Sequence, residues 1–211
     1  MPTRDADIRE ALHRDSLTEF WDEEESLIVE ELGVCRGESF VDIAVVNSKL
    51  HGYEIKSSRD TLARLPGQME AYSAVLDEVT LVTAPSHIDE AREVIPDWWG
   101  VTAATEQGGA ICFSVVEKSE ENPSPDPLQV GLLMWKEEIL SALEELGLDR
   151  GYRSKTKKRM AQRLVRGTDR DGLNQIVRDT LKARECWRSA DPPSPDVERS
   201  PLLPMFEDLQ P

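Results

Sequence analysis

The sequence predicts an α/β fold: a mixed sheet covered by helices, then a small helical region and a tail unable to pack by itself. Three observations predict it. Two β-branched, apolar runs, SFVDIAVVN and LHGYEIKS, stand on either side of a short turn at 47–49. Helix-like and strand-like stretches then alternate through residue 118. From 129 onward the periodicity is helical alone.

Residues 5–14 read as a short helix with Ile8, Leu12 and Ala11 on one side. The acidic-then-apolar stretch from Trp21 to Glu31 fits helix and strand equally well. The two runs that follow read as a β-hairpin. The next stretch, LARLPGQMEAYSAVL, sets Leu62, Leu65, Met69, Tyr72 and Leu76 at helical spacing, with Pro66 kinking the helix or starting a new segment. EVTLVTAP reads as a buried strand, and HIDEAREVIP as a short helix that stops before Pro96, with Asp89 as a cap. WWGVTAAT and AICFSVVEK are two further strands. These observations bound a first domain at 1–118 and a Pro-rich linker at 119–128. A basic three-helix domain follows at 129–188, and an acidic, Pro-rich tail at 189–211 reads as disordered.

Composition narrows the function classes. At 39% apolar and 31% charged residues, the chain suits a soluble protein. It has no run near the roughly 18 apolar residues of a membrane helix. Its start, MPTRDADIREALHRD, lacks the apolar run of a signal peptide, so a cytoplasmic protein without membrane contact is expected. Cys35, Cys112 and Cys186 form neither a disulfide framework nor a zinc spacing. The net charge of −16 opposes polyanions, but it is unevenly spread. Residues 150–188 hold thirteen Lys/Arg against four Asp/Glu, a local net of +9, which leaves −25 elsewhere. Arg153, Lys155, Lys157, Lys158, Arg159 and Arg163 are expected to crowd one side of a short helix and its preceding loop. Such a surface holds phosphates without reading sequence, or docks on the acidic domain.

The chemistry-bearing constellation is Asp42, Glu54 and Lys56. Period two sets Glu54 and Lys56 on one face of their strand with Ile55 on the other. Hairpin pairing sets Asp42 beside Glu54. Two adjacent carboxylates in otherwise apolar strands repel each other and are costly to bury. A divalent cation with oxygen ligands, Mg²⁺ or Mn²⁺, relieves that repulsion. It also activates water and stabilises charge on a phosphoryl oxygen. Lys56 would orient the water or neutralise developing charge.

The stretch VDIAVVNSKLHGYEIKSSRDTLARLPGQMEAY resembles the core of the PD-(D/E)XK nuclease superfamily, a restriction-endonuclease-like fold. It is similar in particular to a group of bacterial and phage proteins that share the later VTLV segment and a P-x-W-W-G segment, here Pro96–Gly100. The resemblance spans about residues 27–118 and is weaker in the helical region. It implies Asp42 and Glu54 as metal ligands and Lys56 as the catalytic lysine. Gln68 and Tyr72 match the Q-x3-Y element of RecB-like members, where the glutamine supports the site and the tyrosine faces the substrate. An upstream glutamate completes the metal shell in many members; Glu31 is preferred here over Glu30. Phe40 stands where relatives often carry a basic residue, which removes a phosphate contact.

The expected function is thus a metal-dependent nuclease acting on DNA in preference to RNA. The rival expectation is a catalytically idle nuclease fold that binds protein, as a phage anti-host factor or DNA mimic. A third is an accessory subunit whose helical region binds nucleic acid. Trp98 and Trp99 are expected in packing rather than base stacking, and His51 at an exposed strand edge. Arg59 and Arg64 flank the helix after Lys56 and are read equally as phosphate contacts or solvated. The tail segment Leu202–Phe206, LLPMF, resembles the apolar peptide that binds the bacterial sliding clamp, and reads as a docking peptide.

Overall fold

A computed structural model describes residues 3–23, 25–184 and 187. The six strands β1 (Leu27–Val34), β2 (Ser39–Val46), β3 (Leu50–Lys56), β4 (Glu78–Thr83), β5 (Gly100–Gln107) and β6 (Ala110–Glu117) form one sheet in chain order. Strands β1 to β3 make an antiparallel meander, β3 to β5 run parallel, and β6 turns back on β5. The parallel steps need crossovers. These carry α3 (Leu65–Ser73), which has Pro66 in its first turn, and the short α4 (Ile88–Arg92). Asp89 sits in the first turn of α4 and makes no side-chain cap. The stretch that fitted helix and strand equally is both: α2 (Thr18–Asp22) ends before β1 begins.

Strand parity builds two cores. Ile43 and Val45 of β2 point at α1 (Asp5–Ala11) and the turn after it, where they meet Ile8, Leu12 and Leu17. Ala44 and Val46 point the other way, toward Tyr72, Leu76 and Trp99. That second core also takes in the C-terminal helices α5 (Pro127–Gly131), α6 (Lys136–Glu145), α7 (Lys157–Gly167) and α8 (Arg170–Lys182), through Met134, Ile139, Leu164 and Val177. Sheet and helical region therefore share one apolar cluster. The polar segment at 119–128 is pinned against the sheet domain: buried Asn122 donates Nδ2 to the carbonyls of Ser73 and Leu76, each at 2.8 Å. Among the described residues the helical region holds four helices where three were expected. The extra one is α5, which begins inside the expected linker, and α6 starts separately after Trp135, whose N–H donates to the Glu138 carboxylate. Among the described residues no helix is long and apolar enough to cross a membrane.

Gly100 closes the PDWWG motif because no side chain fits there. A Cβ would lie 2.7 Å from the Ser119 nitrogen and 3.2 Å from the Glu117 carbonyl, both backbone atoms. Gly100→Ala is expected to destabilise the fold by about 1–3 kcal/mol. Thermal unfolding checks this, and an unchanged midpoint would mean that the 117–119 backbone moves aside freely.

Candidate active site

The site forms where two ladders open. Strands β2 and β3 pair from Val46↔Leu50 to Ile43↔Tyr53 and no further, although Asp42 and Glu54 come next in register. Beyond that point β3 bonds to β4 alone, with Glu54 opposite Leu81 and Lys56 opposite Thr83. The Asp42 carboxylate replaces the lost ladder bond: its Oδ2 accepts the Ile55 N–H at 2.8 Å. On its other side β2 pairs with β1 in one continuous register that skips Glu31 and Asp42. Glu31 there has φ +54°, a left-handed conformation costly for a non-glycine residue. Val41 and Ile43, two residues apart, lie in opposite cores, so the alternation breaks at Asp42 itself.

Arg9 of α1 fills the break. Its Nη1 donates to the Asp42 carbonyl at 2.8 Å and to Glu30 at 3.1 Å, and its Nη2 donates to Asp42 Oδ1 at 3.0 Å. Glu30 also bonds His13 at 2.7 Å, on the α1 side of the sheet. Glu30 and Glu31 are thereby told apart: Glu31 lines the cleft with Asp42 and Glu54, and Glu30 serves the helix.

Glu54 and Lys56 share a face as their spacing requires and form a buried ion pair, 1% and 3% exposed. Gln68 donates Nε2 to Glu54 Oε1 at 2.6 Å, and the Tyr72 hydroxyl donates to Glu54 Oε2 at 2.6 Å. Four residues apart on α3, the two side chains meet on one helix face. Tyr72 is fully buried, bonds the Phe40 carbonyl as well, and stacks on Trp99 with ring centres 6.0 Å apart. It therefore braces Glu54 from behind, and the substrate-facing role implied for it does not fit its burial. Burial raises the Glu54 carboxyl above its ordinary range and repulsion from Asp42 raises it further, against Lys56 and Tyr72.

The resulting cleft holds about 1090 Å³. Seven carboxylates line it, among them Asp5, Glu31, Asp60 and Glu70, against two cations, Lys56 and Arg64. Carboxylate oxygens are the ligand type that a hard cation takes. Gln68 adds to the fit, because its Oε1 is buried without a partner among the described residues. The three-ligand set Asp42, Glu54 and Glu31 is not assembled, however. Among the described residues no three His, Cys, Asp or Glu side chains converge at ligand spacing. The broken ladder leaves Glu31 exposed, and Asp42 is held by Arg9.

Other expected residues scatter. Trp99 is fully buried and meets Trp98 edge-on with centres 6.1 Å apart, which places the pair in packing. His51 is half-buried on the central β3, stacked on Tyr53 at 4.4 Å, and not at an exposed edge. Burial holds its ring down to about 4, with Glu78 pulling the other way. Arg59 is exposed, Arg64 lines the cleft, and Phe40 lines it too while 55% exposed.

The six basic residues do not share one face. Arg153 pairs with Glu144 at 2.9 Å and Asp149 at 3.1 Å. Arg163 leans over Tyr152 and bonds the Leu148 carbonyl. Lys157 and Lys158 turn instead toward Trp135, while Lys155 and Arg159 are exposed. Arg163 stands six positions after Lys157 on the same helix, about 1.7 turns, which sets the two roughly 120° apart around its axis. The segment Leu202–Phe206 and Cys186 lie outside the described residues. Arg9 escaped the sequence reading. Its one local signal is a lone arginine beside the Ile8–Leu12 stripe, and nothing along the chain points to a partner 33 residues on.

A family model described as Bacteriophage P4 protein cII matches residues 4–190. The chain is 29% identical over 94 residues to "Protein cII" of Enterobacteria phage P4, a match covering 44% of this chain and 36% of the relative. It thus spans about a third of that relative's length. Among solved structures, a protein of unknown function from Silicibacter pomeroyi aligns with a TM-score of 0.42 at 17% identity, over 72% of this chain and 96% of that one.

Proposed function

This chain belongs to the family of bacteriophage P4 protein cII, matched across both the sheet and the C-terminal helices, and we propose that it is a metal-dependent nuclease acting on DNA. The observation that carries the reading is the buried Glu54–Lys56 pair, braced by Gln68 and Tyr72 and set beside Asp42 where β2 and β3 separate. A carboxylate and a lysine are costly to bury. Here they are buried at the wall of a wide polar cleft, which is the pattern of a functional site rather than of a core.

Asp42 and Glu54 are the residues that would hold Mg²⁺ or Mn²⁺, which when bound supplies an activated water and stabilises phosphoryl charge. Lys56 keeps its ammonium against Glu54 and offers positive charge to an anion entering the cleft. Gln68 and Tyr72 fix the Glu54 carboxylate, so that it spends no freedom on binding. Arg9 pairs with Asp42 at 3.0 Å, a charge balance that a cation held there would share. The acidity of the cleft makes the cation a precondition for phosphate to enter.

The test is incubation of purified protein with single- and double-stranded DNA and Mg²⁺ or Mn²⁺, beside Asp42→Asn and Lys56→Ala. Cleavage should need the metal and fall about 100-fold or more in each variant. Equal activity in wild type and variants would sink the reading.

A second reading rests on the same contacts. Every carboxylate oxygen of Asp42 and Glu54 already has a donor within the chain, and the net charge is −16. An idle fold that binds protein, with an acidic surface imitating DNA, fits both facts. Calorimetry separates the two: no heat with millimolar Mg²⁺ or Mn²⁺ favours the idle module.

A further inference from the structure

On the far side of the β1–β2 turn lies a second cavity of about 480 Å³, between the turn and the starts of α6 and α7. Four cations line it, Arg36, Lys157, Lys158 and Arg184, with two tryptophans, Trp135 and Trp187. Arg184 is accounted for. Its guanidinium holds the Glu138 carboxylate with two bonds of 2.7 Å and lies over Trp135 at 4.3 Å and Trp187 at 4.9 Å. The other three have no carboxylate partner among the described residues. Lys157 donates only to the Leu132 carbonyl, at 2.8 Å. Burial holds its pKa below the ordinary lysine value, and the neighbouring Arg184 and Arg36 push the same way.

Two features here run against stability. The first turn of α7 carries Lys157, Lys158 and Arg159 and no acid, the wrong sign for the positive end of a helix dipole. Arg36 is held at φ +65°, in a turn where Cys35 also has a positive φ of 47°, a cost for non-glycine residues. An anion in the cavity compensates the first and gives the second a purpose, because the turn delivers the Arg36 side chain to the cavity. Trp135 adds a flat partner. One ring face lies under Arg184, yet the residue is 49% exposed, among the largest apolar side chains left open.

We infer that this cavity is a single-stranded nucleic-acid subsite, in which one base stacks on Trp135 and the flanking phosphates lie on Arg36, Lys157 and Lys158. Sequence-tolerant stacking on an aromatic beside a cationic groove is how single strands are held. A duplex keeps its bases stacked on each other and cannot use Trp135 in this way. Cys35 lines both this cavity and the acidic cleft, so a strand held here continues toward Asp42 and Glu54. The inference takes its strand from the nuclease reading, and its test works with cleavage switched off.

The full chain carrying Asp42→Asn is titrated, in EDTA, into fluorescein-labelled oligothymidylate and oligouridylate, and anisotropy is read. Adding Trp135→Ala should weaken binding about 5- to 150-fold, and Trp135→Phe should restore most of it. Lys157→Ala with Lys158→Ala should also weaken binding and reduce the slope of log affinity against log salt by about 1.4. Thymidine monophosphate should compete only at far higher concentration than the strand. Strand binding unchanged by the Trp135 and lysine variants would overturn the inference. So would a glutamate-rich peptide competing as well as the oligonucleotide, which would make the cavity an acidic-peptide site. Binding that depends on Trp135 in a protein that never cleaves would leave the subsite standing and remove the nuclease reading. Cleavage by wild type with binding indifferent to Trp135 would do the reverse.

Discussion

Lys56→Met is expected to abolish the proposed cleavage and to destabilise the fold at neutral pH, by about 3–5 kcal/mol. The lysine is 3% exposed and its ammonium is paired with a carboxylate that is 1% exposed. Methionine keeps the length and the apolar stem, so packing changes little. What changes is that Glu54 is left buried, charged and close to Asp42. Burial and Asp42 already raise the Glu54 carboxyl, and Lys56 is the main group pulling it back. Its loss raises the folded-state value further. A carboxyl whose folded pKa lies above its unfolded value destabilises the fold when ionised. That penalty is complete above the folded pKa, shrinks as pH falls, and is gone below the ordinary glutamate range near 4.3. The unfolding midpoints of wild type and variant, measured in EDTA, should therefore converge between pH 7 and pH 4. A gap that stays constant over that range would assign the loss to packing instead of charge.

Trp99→Ala should cost about 3–5 kcal/mol, roughly 6–20 °C in midpoint for a chain of this size. Trp99 is fully buried and carries Tyr72 on its ring face, and Tyr72 carries Glu54. Truncation opens a cavity directly behind the tyrosine that braces the site. Activity should fall along with stability, and Trp99→Phe should recover most of both by refilling the space. If Trp99→Ala lowered stability yet left cleavage at wild-type rate well below the midpoint, Tyr72 would not be bracing Glu54.

Much of the site was legible along the chain because its parts are close in sequence and obey local periodicity. Glu54 and Lys56 share a face by the period of two, and they do pair. Gln68 and Tyr72 share a face by the helical spacing of four, and they do meet at Glu54. The short turn at 47–49 specified the hairpin, and its register leaves Asp42 next to Glu54. The mixed sheet with flanking helices followed from the alternation of runs.

What the sequence alone determined, then, is every relation that spans a few residues or one tight turn, since there covalent geometry permits few alternatives. Tertiary structure decided the rest. The ladder breaks at Glu31 and Asp42, where α1 places Arg9, and a contact across 33 residues leaves no periodic trace. The same break puts Glu31, and not Glu30, at the cleft. The helical region joined the sheet's core because its apolar stripes pack into the same cluster as α3 and one face of the sheet. And the basic run that looked like one surface was divided by helical rotation. Two of its lysines met Arg36 and Trp135 in a cavity that no stretch of the sequence spells out.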